Sequence, residues 1–152
     1  MSTSGRQKKA AARLYATQAL FQMESSGTDL EQIVREFLNH RFGVEVDGVA
    51  WVEGHIELFE TILTTAVGQQ ARIDQATDRA LAKNWPIDRI DPTLRALFRA
   101  AGGEFIGCET PTKVVISEFV AITRDFFPNG KEANFVNAVL DALARDLAAL
   151  SD

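Results

Sequence analysis

Apolar residues recur at helical spacing along almost the whole chain, and the alternation typical of strands is nowhere convincing. The first segment shows the pattern most clearly, with one predicted buried stripe formed by Ala12, Ala16, Ala19, Leu20 and Met23. A later stripe, after the stretch HRFGVEVDG, is predicted to include Trp51, Val52 and Ile56. The pattern predicts an all-α fold of about seven helices.

Local signals mark where several of these helices begin. Three starts carry a capping pattern: Thr28 with Glu31 as a capping box, Asp91 before Pro92, and Thr110 before Pro111. Asn129–Gly130 predicts a turn before the last helix, and the stretch between Pro86 and Pro92 is the clearest boundary in the chain. Gly102–Gly103 predicts either a loosened or a closely packed helix end.

Length and composition indicate one globular domain over residues 1–152. The chain has 152 residues, of which 46% are hydrophobic and 24% charged. No apolar run approaches the roughly 18 residues needed to cross a bilayer, so we expect no membrane span. The single cysteine, Cys108, allows no internal disulfide and favours a reducing, cytoplasmic location.

Charge is unevenly distributed, although the formal net charge is only −5. Residues 1–23 hold four basic and no acidic residues, whereas residues 24–60 hold nine acidic and two basic ones. Residues 61–152 are nearly balanced, with twelve acidic and ten basic residues. A polyanion would therefore be attracted to the N-terminal segment and repelled by the segment that follows it.

Candidate catalytic and metal-binding residues are few. His40 and His55 lie on different predicted elements without cysteine or acidic residues at metal-ligand spacing. Cys108 has no basic neighbour in the sequence to activate its thiol. The glycine clusters in GGEFIG and NGK do not match a phosphate-binding loop. We expect no catalytic residue, no metal and no cofactor.

The first predicted helix carries a row of cations beside its alanine stripe. At 100° per residue, Arg6, Lys9 and Arg13 fall within an arc of about 60°, whereas Lys8 lies away from it. Thr17 and Phe21 continue this row toward the C-terminus.

A cationic row that ends in a hydroxyl and an aromatic ring suits single-stranded RNA, because phosphates bind Lys and Arg and unpaired bases stack on rings. An alternative remains open at this point. The cations can simply keep an alanine-rich helix soluble, with Phe21 packed under a neighbouring helix.

Three stretches together resemble the NusB family of transcription antitermination factors. ARLYATQALFQM is similar to the family pattern A-R-x-x-A-x-Q-A-L-Y/F, and TPTKVVISEFV is similar to P-x-K-V-A-I-N-E-A-V/I. NFVNAVLD resembles K/R-F-V-N-G-V/I-L-D. Arg99 and Glu104 also fall where the family helix L-R-x-A-x-Y-E-L has them, although Gly103 replaces the usual tyrosine.

The resemblance implies an all-helical fold of two packed helical bundles, with sub-bundles of about residues 1–84 and 86–152. It implies no enzymatic activity and no cofactor. It further implies binding of boxA-type single-stranded RNA together with NusE, a ribosomal protein of the small subunit. The resulting transcription antitermination complex with RNA polymerase promotes read-through in ribosomal RNA operons.

The cationic row of the first helix and the resemblance to the family together suggest three sets of contacts. RNA phosphates are expected to bind four cations, Arg6, Lys8, Lys9 and Arg13. Thr17 is expected to hydrogen-bond to the RNA, and Phe21 to stack on a base. A second RNA patch is formed by Phe127, Lys131 and Phe135, and the helix with Arg95 and Arg99 presents a surface to NusE. Arg99 has an alternative interpretation as a structural ion-pair partner of Glu104.

Two other functions stay open, and one departure from the family bears on affinity. NusB-like domains also form the N-terminal part of some ribosomal RNA methyltransferases, and a purely protein-binding helical adaptor fits the same pattern. The family often carries consecutive arginines before its first helix, whereas this chain has KKAAAR, with alanines at 10–12. The resemblance therefore predicts weaker RNA binding, or RNA binding that relies on residues elsewhere in the chain.

Overall fold

The structure, a computed structural model, describes residues 4–43, 45–46, 49–50, 53–81 and 89–149. These residues contain seven α-helices: α1 (Gly5–Ser26), α2 (Leu30–His40), α3 (Ile56–Gly68), α4 (Gln70–Ala80), α5 (Pro92–Gly107), α6 (Thr112–Phe126) and α7 (Lys131–Ala149). Between α2 and α3, strands β1 (Glu45–Val46) and β2 (Val49–Ala50) form a short antiparallel pair. The predicted all-α fold is confirmed, with this two-residue pair as a small departure. Trp51, Val52 and Pro86 lie outside the described residues.

Helix α1 is fixed at its start by a capping box. The Ser4 hydroxyl accepts from the Gln7 backbone N–H at 3.1 Å, and the Gln7 side chain accepts from the Ser4 N–H at 3.0 Å. The helix ends at Gly27, whose φ of 72° lies in the left-handed region that glycine adopts without strain. The predicted stripe is confirmed for Ala12, Ala16, Ala19 and Leu20, which are buried, whereas Met23 at its end is only half-buried.

Two of the three predicted caps differ from the structure. In α2 the cap is Asp29, whose Oδ1 accepts from the Gln32 N–H at 2.8 Å, while Thr28 hydrogen-bonds to the Ser26 hydroxyl instead. Aspartate caps at least as well as threonine, so the helix begins one residue later than predicted. Helix α6 has Pro111 at its N-cap without a side-chain cap, so Thr110 does not play the predicted role.

The third predicted cap is confirmed. Asp91 Oδ1 accepts from the Thr93 N–H at 2.7 Å, and Pro92 occupies the first turn of α5. Helix α5 occupies the middle of the molecule and packs against α1, α3, α4, α6 and α7. One hydrophobic cluster extends from Ala11 in α1 to Leu147 in α7, so both predicted sub-bundles contribute to a shared core.

The paired glycines of α5 allow close packing of helices. A Cβ atom on Gly103 would lie 2.6 Å from the Ile62 carbonyl oxygen of α3, and one on Gly102 would lie 2.6 Å from Ile73 Cγ2 of α4. Neither distance is compatible with a side chain unless the neighbour moves. Of the two predicted roles for these glycines, the structure therefore supports close packing. None of the helices in the described part of the chain is both long and apolar enough to cross a membrane.

Candidate nucleic-acid interface

A groove open to solvent separates the first two turns of α1 from the start of α6. Its cavity of about 850 Å³ is lined by cations of α1 and by mostly uncharged residues of α6 and the preceding loop. We call it the basic groove; its lining includes Arg6, Lys9, Arg13, Val114, Ser117 and Glu118. Arg6 and Lys9 are exposed, and neither forms an ion pair with another described residue. The structure therefore places two of the predicted cations together at one groove.

Lys8 connects α1 to the segment that precedes α3. Its Nζ lies 3.7 Å from Glu53 Oε2, and its backbone carbonyl accepts from the His55 N–H at 2.9 Å. The His55 side chain caps α3, because its Nδ1 accepts from the Leu58 N–H at 3.0 Å. Lys8 therefore lies off the cationic row, as predicted, with a side chain that is one-third exposed.

Arg13 has a different role from the predicted phosphate contact. Its Nε and Nη2 donate to Glu104 Oε1 and Oε2 at 2.7 and 2.8 Å, and its Nη1 lies 3.9 Å from Glu118 Oε1. The Arg13 side chain is 4% exposed and that of Glu104 is 0% exposed. Burial opposes the positive charge, but the hydrogen bonds and charge of Glu104 outweigh it and raise the pKa of Arg13. Arg13 therefore fixes α1 against α5 and is not presented to an RNA phosphate in this conformation.

Thr17 is also buried, whereas Phe21 is exposed as predicted for a stacking residue. The Thr17 hydroxyl donates to the Arg13 carbonyl at 3.0 Å, and the residue is 1% exposed. The predicted RNA hydrogen bond from Thr17 is therefore not available in this conformation. Phe21, one turn further along α1, is 40% exposed.

The second predicted patch is brought together by the turn between α6 and α7. Phe127, Lys131 and Phe135 line one cavity of about 440 Å³. We call it the aromatic cavity; its other lining residues are Ile90, Asp91, Leu94 and Glu132. Gly130 allows the turn, with a φ of 84°. Phe135 is 36% exposed, and its ring packs edge-on against that of Phe98, with ring centroids 6.4 Å apart.

The basic groove and the aromatic cavity lie toward opposite ends of α6. Lys9 shares the basic groove with Ser117, and Leu14 shares the next cavity along with Ile122. Because these pairs advance in the same direction along both helices, α1 and α6 run in the same general direction. At 1.5 Å per residue, Ser117 and Phe127 are separated by roughly 15 Å along the axis of α6.

The predicted partner-binding arginines are held in an internal network of ion pairs. Arg95 Nε lies 2.7 Å from Glu24 Oε1, and Arg99 donates to both carboxylate oxygens of Asp74 at 3.0 and 2.9 Å. Arg99 Nη1 also lies 3.8 Å from Glu24 Oε2. The alternative pairing of Arg99 with Glu104 is therefore wrong, because Glu104 is occupied by Arg13. The Arg95 and Arg99 side chains are only 13% and 12% exposed.

The remaining candidate groups are the thiol of Cys108 and the side chains able to bind a metal. Burial, and then the charge of Glu104, raise the pKa of the Cys108 thiol, which disfavours the reactive thiolate. No group of three or more metal-ligating side chains converges within the described ranges.

The described residues form seven packed helices. Exposed cations of α1 lie beside the start of α6, and two phenylalanines lie beside its end. This is an all-helical protein whose candidate site is an open surface suited to an extended anion with flat groups, rather than an enclosed pocket. Residues 10–145 match the NusB family, and the chain belongs to this family.

Relatives and solved structures agree with this assignment. The transcription antitermination protein NusB of Caulobacter vibrioides is 42% identical over 147 residues, which cover 96% of this chain and 98% of that protein. The structure of T. maritima NusB has a TM-score of 0.71 at 27% identity and covers 95% of this chain and 93% of its own. A structure of NusB and NusE in complex with dsRNA has the same fold, with a TM-score of 0.71 at 22% identity, and covers 90% and 95%.

Proposed function

We propose that this chain is a non-catalytic transcription antitermination factor that binds boxA-type single-stranded RNA together with NusE. It acts in the cytoplasm, within a complex with RNA polymerase that reads through terminators in ribosomal RNA operons. Membership of the NusB family and the 42% identity to an antitermination protein support this role. The related complex of NusB, NusE and dsRNA supports the choice of partners. The same likeness favours this function over a domain of a methyltransferase.

The observation that carries the proposal is the outward placement of Arg6 and Lys9 on a helix whose other face is buried. Neither residue forms an ion pair with another described residue. In contrast, Arg13, Arg95 and Arg99 all form ion pairs within the protein. Phosphates would bind these two cations, and unpaired bases would stack on Phe21 near the other end of α1.

The aromatic cavity supplies the second half of the proposed RNA path. Lys131 is exposed at the first position of α7, and Phe127 and Phe135 lie beside it. An RNA strand that follows α6 from Lys9 toward Lys131 would meet Glu118 and Asp125, which line a cavity between α1 and the middle of α6. Binding is therefore strongest at the two ends of the path and weak in the middle.

The small number of available cations limits the affinity of the chain alone. With Arg13 buried, the candidate phosphate contacts are Arg6, Lys8, Lys9 and Lys131. Four contacts to a single strand correspond to a slope of roughly −2 to −3 in log K against log salt concentration. Because this electrostatic contribution is modest, we expect NusE to raise the affinity of the chain for boxA RNA.

For the partner surface, we propose the network around Glu24, Arg95 and Arg99. It joins α1, α4 and α5 and keeps the carboxylate of Glu24 about one-third exposed. A partner residue would meet a paired set of charges with fixed positions rather than free arginines. Arg95→Ala is expected to weaken NusE binding at least about fivefold, as for loss of a charge pair at an interface. The control is Arg79→Ala, which removes an exposed ion pair with Asp146.

The proposal is tested by titrating a fluorescent boxA RNA and a scrambled RNA with the protein, with and without NusE. Arg6→Ala combined with Lys9→Ala is expected to weaken boxA binding about tenfold or more. The matched control is Arg35→Ala combined with Arg145→Ala, which removes two exposed cations from α2 and α7. Equal binding of boxA and scrambled RNA under all conditions would overturn the RNA role and favour a protein-binding adaptor.

A further inference from the structure

A carboxylate lies at the end of the cationic row on α1. Arg13 is the last cation of that row, which lines the basic groove from the side of α1. Glu118 lines the same groove from α6, and its Oε1 lies 3.9 Å from Arg13 Nη1. At 1.5 Å per residue, Arg13 lies roughly 6 Å beyond Lys9 along the axis of α1. The cationic row therefore ends against a negative charge about one helical turn from Lys9.

The positive charge of Arg13 is already balanced by Glu104. Both carboxylate oxygens of Glu104 accept from Arg13, at 2.7 and 2.8 Å, and Glu104 is fully buried. The contact of Arg13 with Glu118 is longer, at 3.9 Å. Arg13, Glu104 and Glu118 together carry one net negative charge. An anion in the groove is therefore attracted by Arg6 and Lys9 and repelled at the level of Glu118.

Glu118 lies at the boundary between the basic groove and a surface without free cations among its lining residues. It lines both the basic groove and the adjoining cavity, whose lining also includes Asp125. The Glu118 side chain is only 19% exposed, so water screens its charge less than it screens a fully exposed carboxylate. The charge of Glu118 therefore acts on any phosphate that extends from the groove toward the middle of α6.

A charge in this position affects specific and non-specific RNA ligands differently. Non-specific binding is almost entirely electrostatic, whereas specific binding also uses contacts to bases. A ligand without base contacts is free to shift its register, and each register that places a phosphate beside Glu118 is disfavoured. A ligand held in one register by its bases is weakened less if that register has no phosphate there.

We propose, on the basis of the proposed RNA-binding function, that Glu118 is a specificity-determining residue that excludes phosphates from the groove beyond Lys9. An RNA strand with phosphates at Arg6 and Lys9 has to turn its next phosphate away from α6. boxA RNA binds in a register that meets this condition. Unrelated RNA loses the registers that do not, so Glu118 raises the preference for boxA by weakening its competitors.

The test compares the binding of fluorescent boxA RNA and scrambled RNA to wild type and Glu118→Gln, with and without NusE, at roughly 50 and 200 mM salt. The substitution removes the charge and keeps the size of the side chain. Scrambled RNA is expected to bind the variant about threefold or more tightly at the lower salt, because the repulsion is gone. The gain is expected to shrink at the higher salt, since salt screens that repulsion. boxA RNA is expected to gain less, so the preference for boxA falls.

Two further variants separate the charge of Glu118 from other effects. Glu118→Asp keeps a carboxylate at this position and is expected to bind both RNAs within about twofold of wild type. Glu31→Gln changes the net charge by the same amount on α2, away from the basic groove, and is the matched control. Glu118→Gln is expected to unfold within about 4 °C of wild type, because Arg13 keeps its two hydrogen bonds to Glu104.

The opposite outcomes are equally clear. Unchanged or weaker binding of scrambled RNA by Glu118→Gln overturns the inference, and so does a gain for boxA that equals or exceeds the gain for scrambled RNA. A gain of the same size in Glu31→Gln assigns the effect to net charge rather than to position and overturns it as well. Each of these results leaves the preference of wild type for boxA intact. Equal binding of both RNAs by wild type removes the proposed function itself.

Discussion

Arg13 in α1 and Glu104 in α5 form a buried ion pair with two hydrogen bonds, at 2.7 Å from Nε and 2.8 Å from Nη2. The pair joins residues that are 91 positions apart in the chain. It joins the buried face of α1 to the central helix α5, while Arg6 and Lys9 of the same helix are exposed. The proposed RNA contacts of Arg6 and Lys9 are therefore on the same helix as this buried ion pair.

Removal of Arg13 is expected to destabilise the fold strongly. Arg13→Ala leaves Glu104 buried without its partner, and the expected loss is about 3–5 kcal/mol in the free energy of unfolding. Urea denaturation followed by circular dichroism measures this loss. The control is Arg79→Ala, which removes an exposed ion pair with Asp146 and is expected to cost less than about 1 kcal/mol.

A paired replacement distinguishes loss of the ion pair from loss of packing at the same site. Arg13→Met combined with Glu104→Leu leaves no buried charge without a partner and is expected to recover most of the lost stability. A change of less than 1 kcal/mol in Arg13→Ala alone would contradict the role assigned to the pair.

The close approach of α5 to α3 predicts that Gly103 tolerates no side chain. Gly103→Ala places a methyl group 2.6 Å from the Ile62 carbonyl oxygen, which belongs to the backbone and cannot turn away. Alanine favours the helix by up to about 1 kcal/mol relative to glycine, but the steric overlap costs more. We therefore expect a net destabilisation of roughly 1–2 kcal/mol. Gly68→Ala has open space around the added methyl group and is expected to be neutral or stabilising. The thermal unfolding temperatures of the two variants test the contrast.

Salt dependence of RNA binding tests which cations contact phosphates. Each lost phosphate contact to a single strand is expected to reduce the slope of log K against log salt by about 0.7. Lys9→Ala and Lys131→Ala are therefore expected to show shallower slopes than wild type, while Arg35→Ala keeps the wild-type slope. Unchanged slopes in both Lys variants would exclude these two residues as phosphate contacts.

Cys108 is expected to react slowly with alkylating agents in the folded protein. Its pKa is raised, chiefly by burial and also by Glu104, so the folded state holds the thiol proton to higher pH than the unfolded chain does. At pH 8 iodoacetamide is expected to modify the native protein more slowly than the urea-unfolded chain, and the native rate is expected to rise at higher pH. Equal rates in the two states would contradict the raised pKa.

Local signals in the sequence predicted much of the fold. The alanine stripe of α1, the Asp91–Pro92 start of α5 and the turn at Asn129–Gly130 depend on neighbours within a few residues. The predicted cap at Thr28 failed because two adjacent residues can both cap a helix, and the choice between them depends on the rest of the loop.

The candidate site was predicted less completely, because burial of a charged residue depends on distant parts of the chain. A helical projection places Arg13 beside Arg6 and Lys9, but it contains no information about Glu104 or Glu118. Arg13 and Glu104 both match family positions, but that resemblance does not indicate that the two residues contact each other. In contrast, Phe127, Lys131 and Phe135 are close in sequence, and the structure places them at one cavity.

The capping box at Ser4 has a thermodynamic consequence for the proposed RNA contacts. Helix α1 is already formed from Gly5 onward, so Arg6 and Lys9 stand on ordered backbone before any ligand arrives. Proteins whose basic segments fold on binding bury about 1,000–3,000 Å² and show a large negative heat-capacity change. Because α1 is already folded, RNA binding is expected to include no heat-capacity change from folding of this helix. The heat-capacity change of binding then reflects only the protein surface that the RNA covers.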